Sequence, residues 1–167
     1  MRTAPAPSRP APMTGVGTSR LRGELVLHPV ALVGLAVLLV NDHVLKAAVP
    51  GWWTGKLSDL AGLAFFPFLL VALVDLARRR GHEPGIRTAL VAACATAVVF
   101  TAIKTSVVAR DLYAAAVGIV RFPVDALVWG AARPDRVAVV PDVTDVPAVV
   151  ACALVVLVVH RRVRARR

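Results

Sequence analysis

Charge, aromatic rings and cysteine are all scarce: of 167 residues, 18% are Asp, Glu, Lys or Arg, 5% are Phe, Trp or Tyr, and two are Cys. An ordinary soluble domain is about 25% charged. That deficit leaves too little polar surface to coat a water-soluble domain. The 57% hydrophobic content is also more than one small core could hide. With only Cys94 and Cys152, each midway along an apolar run, there is no disulfide framework and no Cys-x-x-Cys metal knuckle. Cysteine in such surroundings packs as a small hydrophobe. Gly-x-Ser-x-Gly, the phosphate-binding Gly-x-x-x-x-Gly-Lys-Ser/Thr loop and the dinucleotide fingerprint are absent too, which removes the commonest signatures of hydrolases, nucleotide-driven enzymes and dehydrogenases.

Acidic residues are half as numerous as basic ones, 10 against 20, for a net charge of +10. In a soluble protein that surplus would suggest nucleic acid. Here most of the cations fall in three clusters: Arg2, Arg9, Arg20 and Arg22; Arg78, Arg79, Arg80 and Arg87; and Arg161, Arg162, Arg164, Arg166 and Arg167. Each cluster flanks an apolar run, the pattern of a positive-inside membrane topology, so no nucleic-acid partner is expected.

A mean hydropathy of +0.71 makes the lipid bilayer the expected solvent. Four spans are predicted: Leu25 to Lys46, Leu57 to Leu76, Thr88 to Val108 and Thr144 to Arg161. The fold class is therefore an all-α polytopic membrane protein of two helical hairpins. Residues 24–162 form its transmembrane domain, between a disordered cytoplasmic tail (1–23) and a basic cytoplasmic tail (163–167). At an α-helical rise the last span covers only roughly 27 Å, a little short of the hydrocarbon layer.

Ala109 to Asp142 is read as an extracytoplasmic excursion. Residues 112–129 are apolar enough to cross, but Arg121-Phe122-Pro123-Val124-Asp125 sets a helix breaker between opposite charges at mid-segment. A charge at the bilayer centre costs about 2.5 to 3.5 kcal/mol. A fifth crossing would also put the arginine-rich C-terminus outside. Two short interfacial helices are expected there, with Tyr113, Phe122 and Trp129 at headgroup depth. Trp52 and Trp53 are placed in the first outer loop, Gly55 and Gly62 are positions for close helix approach, and Pro67 is expected to kink the second span.

The hairpins correspond faintly. Leu45-Lys46 and Ser58-Asp59-Leu60 in the first match Ile103-Lys104 and Thr144-Asp145-Val146 in the second. A true repeat would be a parallel one, with its pseudo-two-fold axis along the membrane normal.

The outer helix ends carry Asp42, Lys46, Lys56, Asp59, Lys104 and Asp145, with Ser58 and Thr144 as helix caps or their neighbours. Ionisable groups at membrane depth pair, face the bundle interior or line a water-filled cavity. Two readings follow: a structural clasp that docks the hairpins, or a polar pocket for a small ion or anionic headgroup. A metal site from Asp42, His43, Asp59 and Asp145 is disfavoured because three lysines beside it repel a divalent cation. His28, His82 and His160 are read as interfacial or loop residues, and Asp75 as an inner-surface ion pair with Arg78 and Arg79.

No catalytic residue, cofactor or metal is assigned. The expected function is a non-enzymatic subunit or helper in a larger membrane complex, or a homodimer, in the cytoplasmic membrane of a bacterium with both termini inside. The alternatives are a small-solute or ion carrier using the polar cluster, and a lipid-modifying enzyme with Asp59 or Asp145 as acid or base.

Overall fold

The computed structural model describes residues 21–49, 51–78 and 84–165. Residues 1–20, Pro50, residues 79–83, which include Arg79, Arg80 and His82, and Arg166 and Arg167 lie outside the described residues. Those described are helical or irregular, with no strand. Five helices are long and apolar enough to cross a membrane: α1 (Pro29–Ala48), α2 (Trp52–Ala77), α3 (Ile86–Thr105), α4 (Val107–Trp129) and α5 (Val143–Ala165). This is the composition and architecture of a membrane protein.

Local chemistry moves several boundaries. The first span does not begin at Leu25: Glu24–Leu27 is a 3-10 turn, and His28 is extended before the α-helix starts at Pro29. A residue before proline is pushed out of the α region, while proline suits the first helical position. His28 caps this start, its Nδ1 accepting the Val30 amide proton at 3.3 Å. Burial and the nearby Arg162 guanidinium hold the His28 imidazole below its ordinary pKa, which favours the neutral, accepting form.

The second helix begins at Trp52, so Trp52 and Trp53 form its first turn and not a loop. Both are exposed and pack edge to face, 4.5 Å between centroids. Ser58 and Asp59 consequently lie inside α2 and not at its N-terminus. The helix continues through Pro67, which is fully buried.

The last helix resolves the length problem. Val143–Cys152 is a 3-10 helix and Ala153–Ala165 an α-helix. With a 3-10 rise of roughly 2.0 Å per residue over the first part, Thr144 to Arg161 covers about 31 Å, which matches the hydrocarbon layer.

The centre of the molecule is α2, with half of its apolar window buried against α1, α3 and α5. Phe68, Val71 and Val155 are fully buried, and small residues fill the helix contacts: Ala31, Ala61, Ala89, Ala92, Ala151 and Cys152. Small side chains let backbones approach where lipid supplies no hydrophobic drive between helices. Gly34 serves this purpose, since a Cβ there would meet the Ala61 carbonyl oxygen at 3.3 Å and the Ala64 and Phe65 Cβ atoms at 3.5 Å. Gly55 and Gly62 do not, because a Cβ would meet nothing at the first and only the ring of Phe66, on its own helix, at the second.

One end of the bundle is tied by the chain just before α1. Arg22 donates to the carbonyl oxygens of Asp75, Leu76 and Arg78, capping the C-terminus of α2. The Gly23 amide donates to the buried Asp75 carboxylate at 2.9 Å, with Gly23 at a φ of 76° that favours glycine. Asp75, expected as an ion-pair partner of Arg78 and Arg79, is thus an interior acceptor for the Gly23 amide; Arg79 lies outside the described residues. Glu24 pairs with Arg162 of α5 at 2.8 Å. The start of α1 and the ends of α2 and α5 therefore meet at this one end.

The segment expected as an excursion with two short interfacial helices differs from that expectation. It is one continuous 23-residue helix, α4, and not two short ones. Arg121 and Asp125, four residues apart, pair at 3.3 Å across Pro123, so the breaker is bridged by the charges that flank it. Ser106, extended between α3 and α4, redirects the chain and caps α4 by accepting the Ala109 amide proton. After Gly130 ends the helix in the left-handed region, the irregular segment 131–142 runs back along it. Its Asp135 backbone lies where a Cβ on Gly118 would sit. Gly118→Leu should therefore lift the return segment off α4. Limited proteolysis would report this as faster cleavage within 131–142, and an unchanged rate would contradict the packing.

Candidate functional site: a lysine–aspartate clasp

The opposite end of the bundle holds the ionisable cluster. Lys104, in the last turn of α3, reaches two carboxylates at once: Asp59 Oδ2 of α2 at 2.6 Å and Asp145 Oδ2 of α5 at 2.7 Å. Lys56, one turn before Asp59, takes the other oxygen of Asp145 at 2.6 Å and the Thr144 hydroxyl at 2.8 Å. Three helices are thus joined through four side chains. The Lys104 and Asp145 side chains are 10% and 6% exposed, and those of Asp59 and Lys56 are 22% and 24% exposed. The ammonium groups also lie over rings, Lys56 over Trp52 and Lys104 over Phe100.

The 3-10 start of α5 explains why Asp145 points inward. At three residues per turn Asp145, Ala148 and Ala151 form one row, and this row faces α2 and α3. Asp142 belongs to the same row one turn earlier and caps the helix, accepting from the Thr144 amide at 2.9 Å and from its hydroxyl at 2.7 Å. These hydrogen bonds hold the Asp142 carboxyl below its ordinary pKa. Its other oxygen lies 3.7 Å from Lys56.

A second group joins α1 to α2. Asn41 starts a π-helical turn, Asn41–Leu45, and is completely buried. Its Nδ2 donates to the Thr54 carbonyl at 2.6 Å and to the Ser58 hydroxyl at 2.7 Å. Ser58 in turn donates to Asp42 at 2.5 Å, and Asp42 pairs with Lys46 at 2.8 Å. Ser58 is therefore a link between two helices and not a cap. Asn41 Oδ1 is buried without a hydrogen-bond partner. Because the amide nitrogen faces a carbonyl, Asn41→Asp would set an acceptor against the Thr54 oxygen. That variant should lose at least about 2 kcal/mol of stability in detergent and more than Asn41→Leu, the reverse order being contrary to this geometry.

The eight sequence candidates thus divide into two linked sets. Lys56, Asp59, Lys104, Asp145 and Thr144 form the clasp, while Asp42, Lys46 and Ser58 form the smaller α1–α2 group. Lys46 pairs within its own helix whereas Lys104 pairs across helices, so the pairing is not symmetric between the hairpins. Asn41 and Asp142 escape the sequence reading. Asn41, at the end of the apolar run and directly before Asp42 and His43, reads as part of a polar helix end, and the Asp142/Asp145 spacing gives no signal until the helix proves to be 3-10.

Among the described residues no three His, Cys, Asp or Glu side chains converge as metal ligands. His43 contacts the Leu39 carbonyl. Cys94 and Cys152 are both free thiols. Beside the clasp a cavity of about 220 Å³ is lined by Lys56, Asp59, Leu60, Thr144, Asp145 and Ala148. No known protein family, curated protein or solved structure matches this chain.

Proposed function

We propose that the chain is a small non-catalytic membrane subunit or helper, working within a larger membrane assembly or as a homodimer, whose clasp holds its helices in a fixed arrangement. The closed pairing of the clasp carries this reading. Both ammonium groups and both inner carboxylates are engaged with one another at 2.6 to 2.7 Å, so the charges serve each other before any ligand. Buried charges paired in this way specify how helices dock.

The reading includes four crossings, by α1, α2, α3 and α5, with the clasp on the extracytoplasmic side of a bacterial-type cytoplasmic membrane. Three observations support it. Lys104 touches Asp145, so the chain leaves and rejoins the bundle at one face. A crossing by α4 would have to be undone by the irregular segment 131–142, and unpaired backbone amides in lipid cost several kcal/mol each. Arg22, Arg78, Arg87, Arg161 and Arg162 belong to the opposite end, which the positive-inside bias makes cytoplasmic.

Purification in mild detergent tests the function. The expected result is a stoichiometric protein partner or a stable dimer. A lone monomer would overturn the reading. A reporter fused to the C-terminus should be accessible only from the cytoplasm, and an outside reporter would overturn the topology.

The cavity beside Asp145 favours one second reading, a carrier of small ions. In that case ion flux into liposomes would be abolished by Asp145→Asn, and absence of flux from the parent protein would remove it.

A further inference from the structure

The helix α4 packs on the bundle mainly through α3, and only 11% of its apolar window is buried. At 100° per residue most of its side chains separate into two faces, Val107, Val128 and Trp129 near its ends being the exposed apolar residues on the polar side. Val108, Leu112, Ile119, Val120, Val124 and Leu127 fall within an arc of about 160° and are between 61% and 87% exposed. Arg110, Asp111, Arg121 and Asp125 occupy the other side together with the buried Ala114 and Gly118. The return segment packs on that polar side at Gly118, against its Asp135 backbone. Asp111 and Arg121 on the same side stay exposed, and the apolar arc is left open.

We infer that α4 is an interfacial anchor whose apolar face lies in the outer lipid leaflet, parallel to the membrane. The occupant is lipid because of where the helix is tethered. Its N-terminus follows Lys104 by three residues, and the return segment ends at Asp142, 3.7 Å from Lys56. Both tethers are at the clasp, where spanning helices of this length meet the headgroups. From that height an exposed apolar arc enters the acyl boundary, while Arg110, Arg121, Arg133 and Arg136 remain at the level of lipid phosphates. The face has no charge within it to pair with a protein partner. The inference rests on the four-crossing reading and adds the ligand of the arm.

Depth measurement tests it. Nitroxide labels are placed singly by Leu112→Cys, Val120→Cys and Leu127→Cys in full-length protein with Cys94→Ala and Cys152→Ala, reconstituted into phosphatidylethanolamine–phosphatidylglycerol liposomes. These three sites are exposed, so the labels disturb no packing. Relative access to oxygen and to a water-soluble nickel complex gives the depth. The expected result is one common depth, about 5 to 10 Å below the phosphates, with a label at Arg136→Cys shallower, at the level of the phosphates. Depths graded over about 22 Å from residue 112 to 127 would mean a crossing helix and would overturn both the anchor and the four-crossing reading. Three labels in water, or three shielded from both reagents by protein, would overturn the anchor alone. If the Cys-free background shifts the unfolding midpoint, the same labels are read with the buried Cys152 retained and only the exposed Cys94 replaced.

Discussion

Replacing Lys104 by methionine should lower the unfolding free energy in detergent by about 3 kcal/mol or more. The methionine matches the lysine stem in length, so packing is largely kept and the loss is electrostatic. Asp59 and Asp145 would face each other without the ammonium group that bridges them, in a site where the Asp145 side chain is only 6% exposed. Taking one partner from a buried charge pair leaves the desolvation cost of the other uncompensated. Lys46→Met is the contrasting control. That lysine also pairs with an aspartate, at 2.8 Å, but both side chains are about two-fifths exposed (44% and 39%). Exposed pairs of this kind contribute little, and the expected change is within about 0.5 kcal/mol. Adding Asp59→Asn to Lys104→Met should recover part of the loss by removing one of the stranded charges. Equilibrium unfolding in mixed micelles reads all three variants, and equal effects of Lys104→Met and Lys46→Met would contradict the clasp.

Phe68→Ala should be the most damaging apolar truncation, at about 3 to 5 kcal/mol. The ring is fully buried at the centre of α2 and stacks on His28 with 6.0 Å between centroids, joining the middle of the bundle to the start of α1. In lipid the loss comes chiefly from dispersion contacts that neither acyl chains nor neighbouring side chains can replace. Phe66, next but one along the same helix, is 46% exposed and faces outward. Phe66→Ala should therefore cost far less, and the ratio of the two effects, read as unfolding midpoints, checks the assignment of inward and outward faces.

How much of this could be read from residues alone depends on which physical rule was in force. Helical class and approximate span positions follow from run length against bilayer thickness, a rule that tolerates errors of several residues. Boundaries set by particular chemistry were less legible. Pro29 moves a start by excluding α geometry at His28, and Trp52 extends α2 because nothing in the preceding Gly51 prevents it. The continuous helix over residues 107–129 was missed because Pro123 and its flanking charges were each weighed as breaks, whereas Arg121 and Asp125, four residues apart, share one helix face and pair there. Charge balance named the residues that meet at the clasp, yet their partners depended on helix rotation. The 3-10 winding of Val143–Cys152 sets that rotation, and no composition rule signals it.

Whether Lys104 and Asp145 hold α3 to α5 is read from a double-mutant cycle. Lys104→Met, Asp145→Leu and the combined variant would be unfolded alongside the parent protein under identical detergent conditions. The expected coupling energy is about 1.5 kcal/mol or more, with the combined variant more stable than the sum of the single losses implies. Additivity within about 0.5 kcal/mol would show that the two side chains do not act on each other, and the clasp would have to be abandoned.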